Sequence, residues 1–255
     1  MYWDEIRIFE NFERRNQVPC LFPFRDLEAV EPLYVFNCDT WEEVVEDRPN
    51  RFVVITKSGK RCHVHDPGRL KELIYPGNRV LVRAKKGKKT DCWVTAAWAD
   101  GIWVLTDSSV HNEIARKFLP SNAKAEVKLG DSRFDFAFDD TFVEVKGCSL
   151  VKDGKALFPD AVTERGRRHM LELAALVKQG KKAMVLVLVT RPDADCFSPN
   201  FETDPKFSDA FLEALKSGVE VVVKKLELRG NAVYFAGDLP LCRDVVERLS
   251  TPSRA

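Results

Sequence analysis

The segment Arg133-Phe-Asp-Phe-Ala-Phe-Asp-Asp-Thr-Phe-Val-Glu-Val-Lys146 gathers the residue types that hydrolytic chemistry uses. Alternate side chains of a strand share a face. Phe134, Phe136 and Phe138 are therefore predicted on one side, and Arg133, Asp135 and Ala137 on the other. With Asp139-Asp140 as a turn, the phenylalanines pack on Val143 and Val145, and Asp135 lies directly across from Glu144. Two carboxylates so placed repel, and a divalent cation reverses the sign of that interaction. Mg²⁺ is held by one or two carboxylates, with waters and phosphate oxygens completing its shell. Lys146, on the Glu144 face, would polarise a water or balance charge on a phosphoryl group. Asp135, Glu144 and Lys146 thus form a candidate catalytic set for phosphodiester hydrolysis with Mg²⁺ or Mn²⁺. The plainer alternative is a solvent-facing hairpin in which Asp135 pairs diagonally with Lys146. Glu126-Val127-Lys128 repeats the Glu-x-Lys spacing, and only the upstream Asp135 separates the two copies.

A second dense stretch is Phe158-Pro-Asp-Ala-Val-Thr-Glu-Arg-Gly-Arg-Arg-His169. Asp160 or Thr163 would cap a helix here, with Arg165 and His169 four apart on one face. Basic groups at a helix N-terminus oppose the macrodipole unless an anion is bound, which points to phosphate. A surface helix with Glu164 paired to Arg168 is the ordinary reading.

These residues need elements to hold them. Short β-type runs fall at Phe52–Thr56, Arg61–His65, Arg79–Arg83, Asp91–Trp98 and Ile102–Leu105, with turns at Ser58-Gly59, Pro76-Gly77-Asn78, Lys86-Gly87 and Asp100-Gly101. Five strands in so short a span predict a small closed barrel of the OB type, with a helical turn through Leu70–Ile74. Beyond Leu105 the pattern mixes helices and strands. A helix starts at Ser108 or Ser109, and strands follow near 125–129, 133–138 and 142–145. A helix over 163–179, the buried strand Ala183–Val189, a helix over 205–216 and strands over 219–226 and 232–235 complete an α/β domain. The reading divides the chain into an acidic arm (1–34), a barrel (35–105), an α/β domain (106–242) and a tail (243–255).

The formal net charge is only +1, but it is unevenly spread. Met1–Asn50 holds 12 acidic and 5 basic residues, while Arg51–Val104 holds 12 basic and 4 acidic. The basic block is either a polyanion-binding surface or a solvated Lys/Arg face. On the first reading Arg69, Arg79, Arg83, Lys85, Lys86, Lys88 and Lys89 contact phosphates, and the acidic arm masks them when no DNA is bound. Trp93, Trp98 and Trp103 offer stacking surfaces, or else fill the core. The seven cysteines include no C-x-x-C pair, and scattered thiols suit a reducing cytosol. Cys62, His63 and His65 lack a fourth metal ligand and read as strand residues. With no basic-apolar leader and no long apolar run, the expected location is cytoplasmic, away from membranes.

Together these segments resemble the sugar fermentation stimulation protein family over roughly residues 35–242. His65-Asp-Pro-Gly-Arg-Leu70 is similar to that family's Asn-Pro-Gly-Arg-Leu element, with Asp66 where Asn is usual. Arg133-Phe-Asp135, Glu144-Val-Lys146 and the run Phe158–His169 carry the rest, the last being the most specific. The resemblance implies an OB-like barrel followed by a PD-(D/E)xK restriction-endonuclease-like α/β domain, together with DNA binding. It also implies metal ligation by Asp135 and Glu144, with Glu126 as an additional acidic residue, and assistance of the attacking water by Lys146. Arg133, Arg165 and His169 join the DNA-contact candidates. Two functional classes follow: a Mg²⁺-dependent nuclease binding DNA mostly without sequence preference, or a non-catalytic DNA-binding regulator of sugar (maltose) metabolism. A homodimer is the assembly this reading allows.

Overall fold

The structure, a computed structural model, describes residues 31–84, 89–130 and 132–251. The expected arm lies outside the described residues as far as Val30, as do Lys85, Lys86 and Lys88.

The first strand is Tyr34–Val35 (β1). Thr40–Asn50 (β2), Val53–Thr56 (β3), Arg61–Val64 (β4), Arg79–Ala84 (β5), Cys92–Ala99 (β6) and Ile102–Leu105 (β7) follow. Neighbours run β4, β3, β2, β5, β6, and parallel pairing of β4 with β6 closes these five strands into a ring. Val45, Val54, Val64, Val80, Val82 and Val94 fill it. This is the OB-like barrel, with one exchange of strands. Ile102–Leu105 was expected within the ring but only extends β6 outward, and its place is taken by β2. The sequence of β2, Thr-Trp-Glu-Glu-Val-Val-Glu-Asp-Arg-Pro-Asn, hides its pattern because an inward position is a glutamate. Glu43 is buried there and accepts from Trp41 Nε1, Ser58 Oγ and Lys60 Nζ. Four acids counted with the N-terminal block, Glu42, Glu43, Glu46 and Asp47, therefore belong to the barrel itself. Glu42 pairs with Arg79 and Glu43 with Lys60, so part of the charge cancellation occurs inside the barrel.

The second domain opens with a 3₁₀ turn over Ser108–Val110 and the helix His111–Arg116 (α1). Lys124–Leu129 (β8), Ser132–Phe138 (β9) and Thr141–Cys148 (β10) come next, then Val151–Lys152 (β11) and Lys155–Phe158 (β12). Glu164–Lys178 (α2), Lys182–Val189 (β13), Cys196–Pro199 (β14), Pro205–Ser217 (α3), Glu220–Arg229 (β15), Ala232–Asp238 (β16) and Arg243–Ser250 (α4) complete it. The main sheet has the order β1-β16-β15-β13-β10-β9-β8. Its centre, β10-β13-β15, is parallel, as the α2 and α3 crossovers require. β13 is apolar on both faces. Ala183, Val185, Val187 and Val189 pack under α2 and α3, while Met184, Leu186 and Leu188 meet α1 and the barrel residues Leu81, Ala96 and Leu105. β1 pairs with β16, and Leu33 and Phe36 enter the α1-side core, so the end of the expected arm is built into the second domain's sheet. The expected tail contributes α4, anchored by the fully buried Val245.

Four cysteines are not free thiols, which corrects the sequence reading. Cys62 and Cys92 are register partners across the β4–β6 pair that closes the barrel, and they form a disulfide with Cα atoms 4.5 Å apart. Cys196 and Cys242 form another, 4.9 Å apart, tying β14 to the start of α4. Spacing along the chain did not reveal either pair, because tertiary pairing brings the partners together. Cys38 is exposed and Cys148 buried, both as thiols. No helix among the described residues is long and apolar enough to cross a membrane. Cys196→Ser opens a loop spanning 46 residues, and chain entropy alone sets the expected loss at about 4 kcal/mol, read by denaturant unfolding under non-reducing conditions. An unchanged midpoint would show that the bridge does not constrain the fold.

Candidate active site

The hairpin β9–β10 forms in the expected register, with Phe138 opposite Thr141, Ala137 opposite Phe142 and Phe136 opposite Val143. The ladder then stops one rung short of Asp135 and Glu144. In place of a backbone acceptor, the Asp135 side chain fills the gap. Its Oδ2 accepts from Val145 N at 2.7 Å, and Asn112 Nδ2 of α1 approaches Oδ1 at 3.5 Å. The β8–β9 ladder also skips the rung of Glu126 and Asp135, and Glu126 adopts a left-handed φ of 58°. Strand alternation is interrupted at this point. Phe136 and Phe138 face the α1-side core as expected, whereas Phe134 joins the α2-side core, 5.3 Å from the Phe142 ring.

Glu144 lies on the face of β10 covered by α2, and it is buried. Burial alone would raise its pKa. A hydrogen bond from His169, the charge of Lys146 and a hydrogen bond from Lys146 together hold the carboxyl below its usual range. His169 Nδ1 and Lys146 Nζ both donate to Oε1. Oε2 accepts no hydrogen bond among the described residues. Asp135 behaves oppositely: burial, then the neighbouring Glu144 charge, raises its pKa. Two hard oxygen donors that repel one another, one of them kept ionised, fit a divalent cation. The described residues include no group of three or more His, Cys, Asp or Glu side chains able to hold a metal. This constellation is therefore a carboxylate pair with a lysine and a histidine.

The other predicted residues separate into groups. Asp135, Glu144 and Lys146 come together as expected. Glu126 does not join them; it is exposed and paired with Arg133. His169, a DNA-contact candidate that would alone more often be structural, is buried against Glu144, because it shares the inward stripe of α2 with Met170 and Leu173. Arg83 is also buried, salt-bridged to Asp107 and stacked 4.2 Å from the Trp93 ring centre, so it is unable to contact a phosphate. Arg79 is paired with Glu42 and covers Trp98 at 4.5 Å, which also closes one face of that ring. Arg69, Lys89 and Arg165 are exposed. Thr163, not Asp160, caps α2 by accepting from Gly166 N at 3.0 Å. Of the sequence cluster Cys62-His63-His65, Cys62 is consumed by its disulfide. Sequence reasoning missed Asn112 and His111, since neither lies in a recognisable spacing. His111 is buried against Gly147, where an added Cβ would fall 2.2 Å from its Cε1. The one local signal was a glycine directly after Lys146.

An OB barrel leading into a PD-(D/E)xK-like α/β domain, with an acid pair and a lysine where β9 and β10 part, defines a protein of restriction-endonuclease-like architecture. Residues 47–106 match the SfsA N-terminal OB domain, and residues 104–232 match the sugar fermentation stimulation protein RE domain. A sugar fermentation stimulation protein homolog of Sulfolobus acidocaldarius is 60% identical over 212 residues, covering 83% of this chain and 94% of the relative. Its counterpart in Saccharolobus solfataricus is 49% identical over 230 residues, covering 86% and 96%. A solved structure of Pyrococcus furiosus SfsA in complex with Ca²⁺ superposes with a TM-score of 0.76 at 27% identity, covering 84% of this chain and 100% of that one. The chain belongs to the sugar fermentation stimulation protein family.

Two titratable groups flank the site at the junction with the barrel. Burial pushes His111 down to about 4, with Asp107 opposing the shift and His65 adding to it. Burial pushes Asp66 up to about 6; the Gly68 amide opposes this and the Asp160 and Asp107 charges reinforce it. The signs differ. The raised Asp66 favours the folded state fully below its unfolded value of 3.8, and that contribution is lost as pH rises through about 6. The lowered His111 contributes above its unfolded value of 6.5, and its contribution is lost as pH falls through about 4. Asp66→Asn removes the first contribution and leaves the second. The variant is expected to gain stability with rising pH between 4 and 6 more steeply than the parent chain, measured by thermal unfolding across that range. Parallel profiles would refute the assignment.

Proposed function

We infer that the protein is a divalent-metal-dependent nuclease that binds nucleic acid mainly through phosphates and hydrolyses its phosphodiester bonds. The observation that carries this reading is the Asp135–Glu144 carboxylate pair, held at the opening between β9 and β10 with Lys146 beside it. The Pyrococcus furiosus relative was solved in complex with Ca²⁺, a hard cation of the class that a carboxylate pair suits. Asp135 and Glu144 would hold Mg²⁺ or Mn²⁺, which supplies Lewis-acid polarisation of a phosphoryl oxygen and a more acidic water.

The chain's own groups do the remaining work. Val145 N and Asn112 orient Asp135. His169 donates to Glu144 Oε1 and leaves Oε2 available to a cation, which makes His169 a positioning residue. Lys146 shares Oε1 in this state. The Lys146 ammonium, held beside Glu144, would orient a water or stabilise charge on the phosphoryl oxygens. Burial of the glutamate makes each of these interactions stronger than it would be in water.

The test is incubation of labelled single- and double-stranded DNA, and of labelled RNA, with the full chain in Mg²⁺, Mn²⁺ or Ca²⁺. Cutting is expected in Mg²⁺ or Mn²⁺, with Glu144→Gln and Lys146→Ala slowing it by about 100-fold or more while DNA is still retained. Intact DNA and RNA with every metal would overturn the nuclease reading, and retention without cutting would assign the chain to non-catalytic regulation.

A further inference from the structure

The His65–Leu70 element takes no part in the acid pair, yet its backbone is tied to the domain that carries it. Asp160 Oδ2 accepts from Arg69 N at 2.6 Å and from Leu70 N at 2.9 Å, contacts spanning about ninety residues of sequence. Asp66 Oδ1 accepts from Gly68 N at 2.6 Å. Three successive amides are thus occupied by two carboxylates, one from each domain. Gly68 is required by space: an added Cβ would lie 2.8 Å from an oxygen of Asp66 and 2.8 Å from one of Asp160. Leu70, at a left-handed φ of 45°, turns its buried side chain into the barrel core. Arg48 donates to the carbonyls of Leu70 and Ile74 and fixes the far side of the turn.

The loop held in this way presents Arg69, which is exposed. Its guanidinium makes no ion pair or hydrogen bond among the described residues. On the other side of the joint, Asp160 precedes the Thr163 cap of α2. Arg165 follows in the first turn of that helix, also exposed and also without an ion pair among the described residues. His169, one turn later on the same face, bonds Glu144. Two other candidate cations of the barrel are already engaged, Arg79 by Glu42 and Arg83 by Asp107.

We propose that Asp160 is a positioning residue that fixes Arg69 of the barrel beside the start of α2, so that Arg69 and Arg165 grip the phosphates of one nucleic-acid strand across the domain joint. The proposal rests on the nuclease reading and adds to it the path of the substrate. Arg69 and Arg165 bind phosphate, and Asp160 acts through Arg69.

Anisotropy of a labelled DNA strand with the full chain in Ca²⁺, together with cleavage kinetics in Mg²⁺, tests the proposal. Arg69→Ala and Arg165→Ala are each expected to raise Kd and KM about tenfold with kcat little changed, and to reduce the salt slope of binding by about one. Asp160→Ala should weaken binding as much as Arg69→Ala, and the double variant should be no weaker than either single one, because one acts through the other. Asp160→Asn, which keeps an acceptor oxygen, should restore part of the loss. Lys178→Ala, paired with Glu213 on the far end of α2, serves as the unchanged control. Additive losses, or Arg69→Ala binding as the parent does in a chain that cuts DNA, would overturn the grip and leave the nuclease reading intact. A parent chain that neither binds nor cuts would overturn both. If Asp160→Ala does not fold, the salt slopes of Arg69→Ala and Arg165→Ala decide alone.

Discussion

A carboxylate taken out of water loses several kcal/mol of hydration unless neighbouring groups replace it. Glu144 is in that position, on the central strand pair of the main sheet and beneath α2. Its replacement solvation comes from Lys146, two residues away on the same strand face, and from His169 on the covering helix. Both act on a single oxygen. This dictates much of the surrounding structure. α2 has to begin where it does, capped by Thr163, for His169 to land on Glu144. β9 has to part from β10 after Phe136 for Asp135 to come alongside. The glycine after Lys146 has to stay bare because His111 occupies its Cβ position.

The same logic governs the joint between the domains. The barrel loop after Pro67 exposes consecutive amides, and the second domain answers with the Asp160 carboxylate. Arg83, a barrel residue, is buried against Asp107, which also caps the 3₁₀ turn leading into α1. These two carboxylate contacts, made from different places in the second domain, tie the barrel to it. The barrel is further closed on itself by a disulfide at its one parallel seam, where hydrogen bonding is somewhat less favourable than in an antiparallel pair.

Much of this was legible in the sequence. Period-two runs located four strands of the barrel ring, and the continuous apolar run of β13 marked a strand buried on both faces. The turn at Asp139-Asp140 fixed the hairpin register, and with it the meeting of Asp135, Glu144 and Lys146. β2 was hidden because a buried glutamate broke its pattern, and β1 because two residues carry no periodicity. The fate of the arginines was equally illegible. Arg69, Arg79 and Arg83 look alike in a basic stretch, yet one is exposed, one is paired across strands and one is buried.

The sequence by itself determined most of the elements, the hairpin and the chemical types brought to it, since these depend on neighbours two to four residues apart. The tertiary structure alone decided that His169 supports Glu144 rather than facing solvent, that Glu126 pairs with Arg133 away from the acid pair, and that Asp160 reaches the barrel instead of capping its own helix. It also decided which cysteines bond. The His169–Glu144 contact turns on which partner reaches a carboxylate that has lost its water, and all these partners lie from seven to about ninety residues away in the chain, beyond the reach of local spacing.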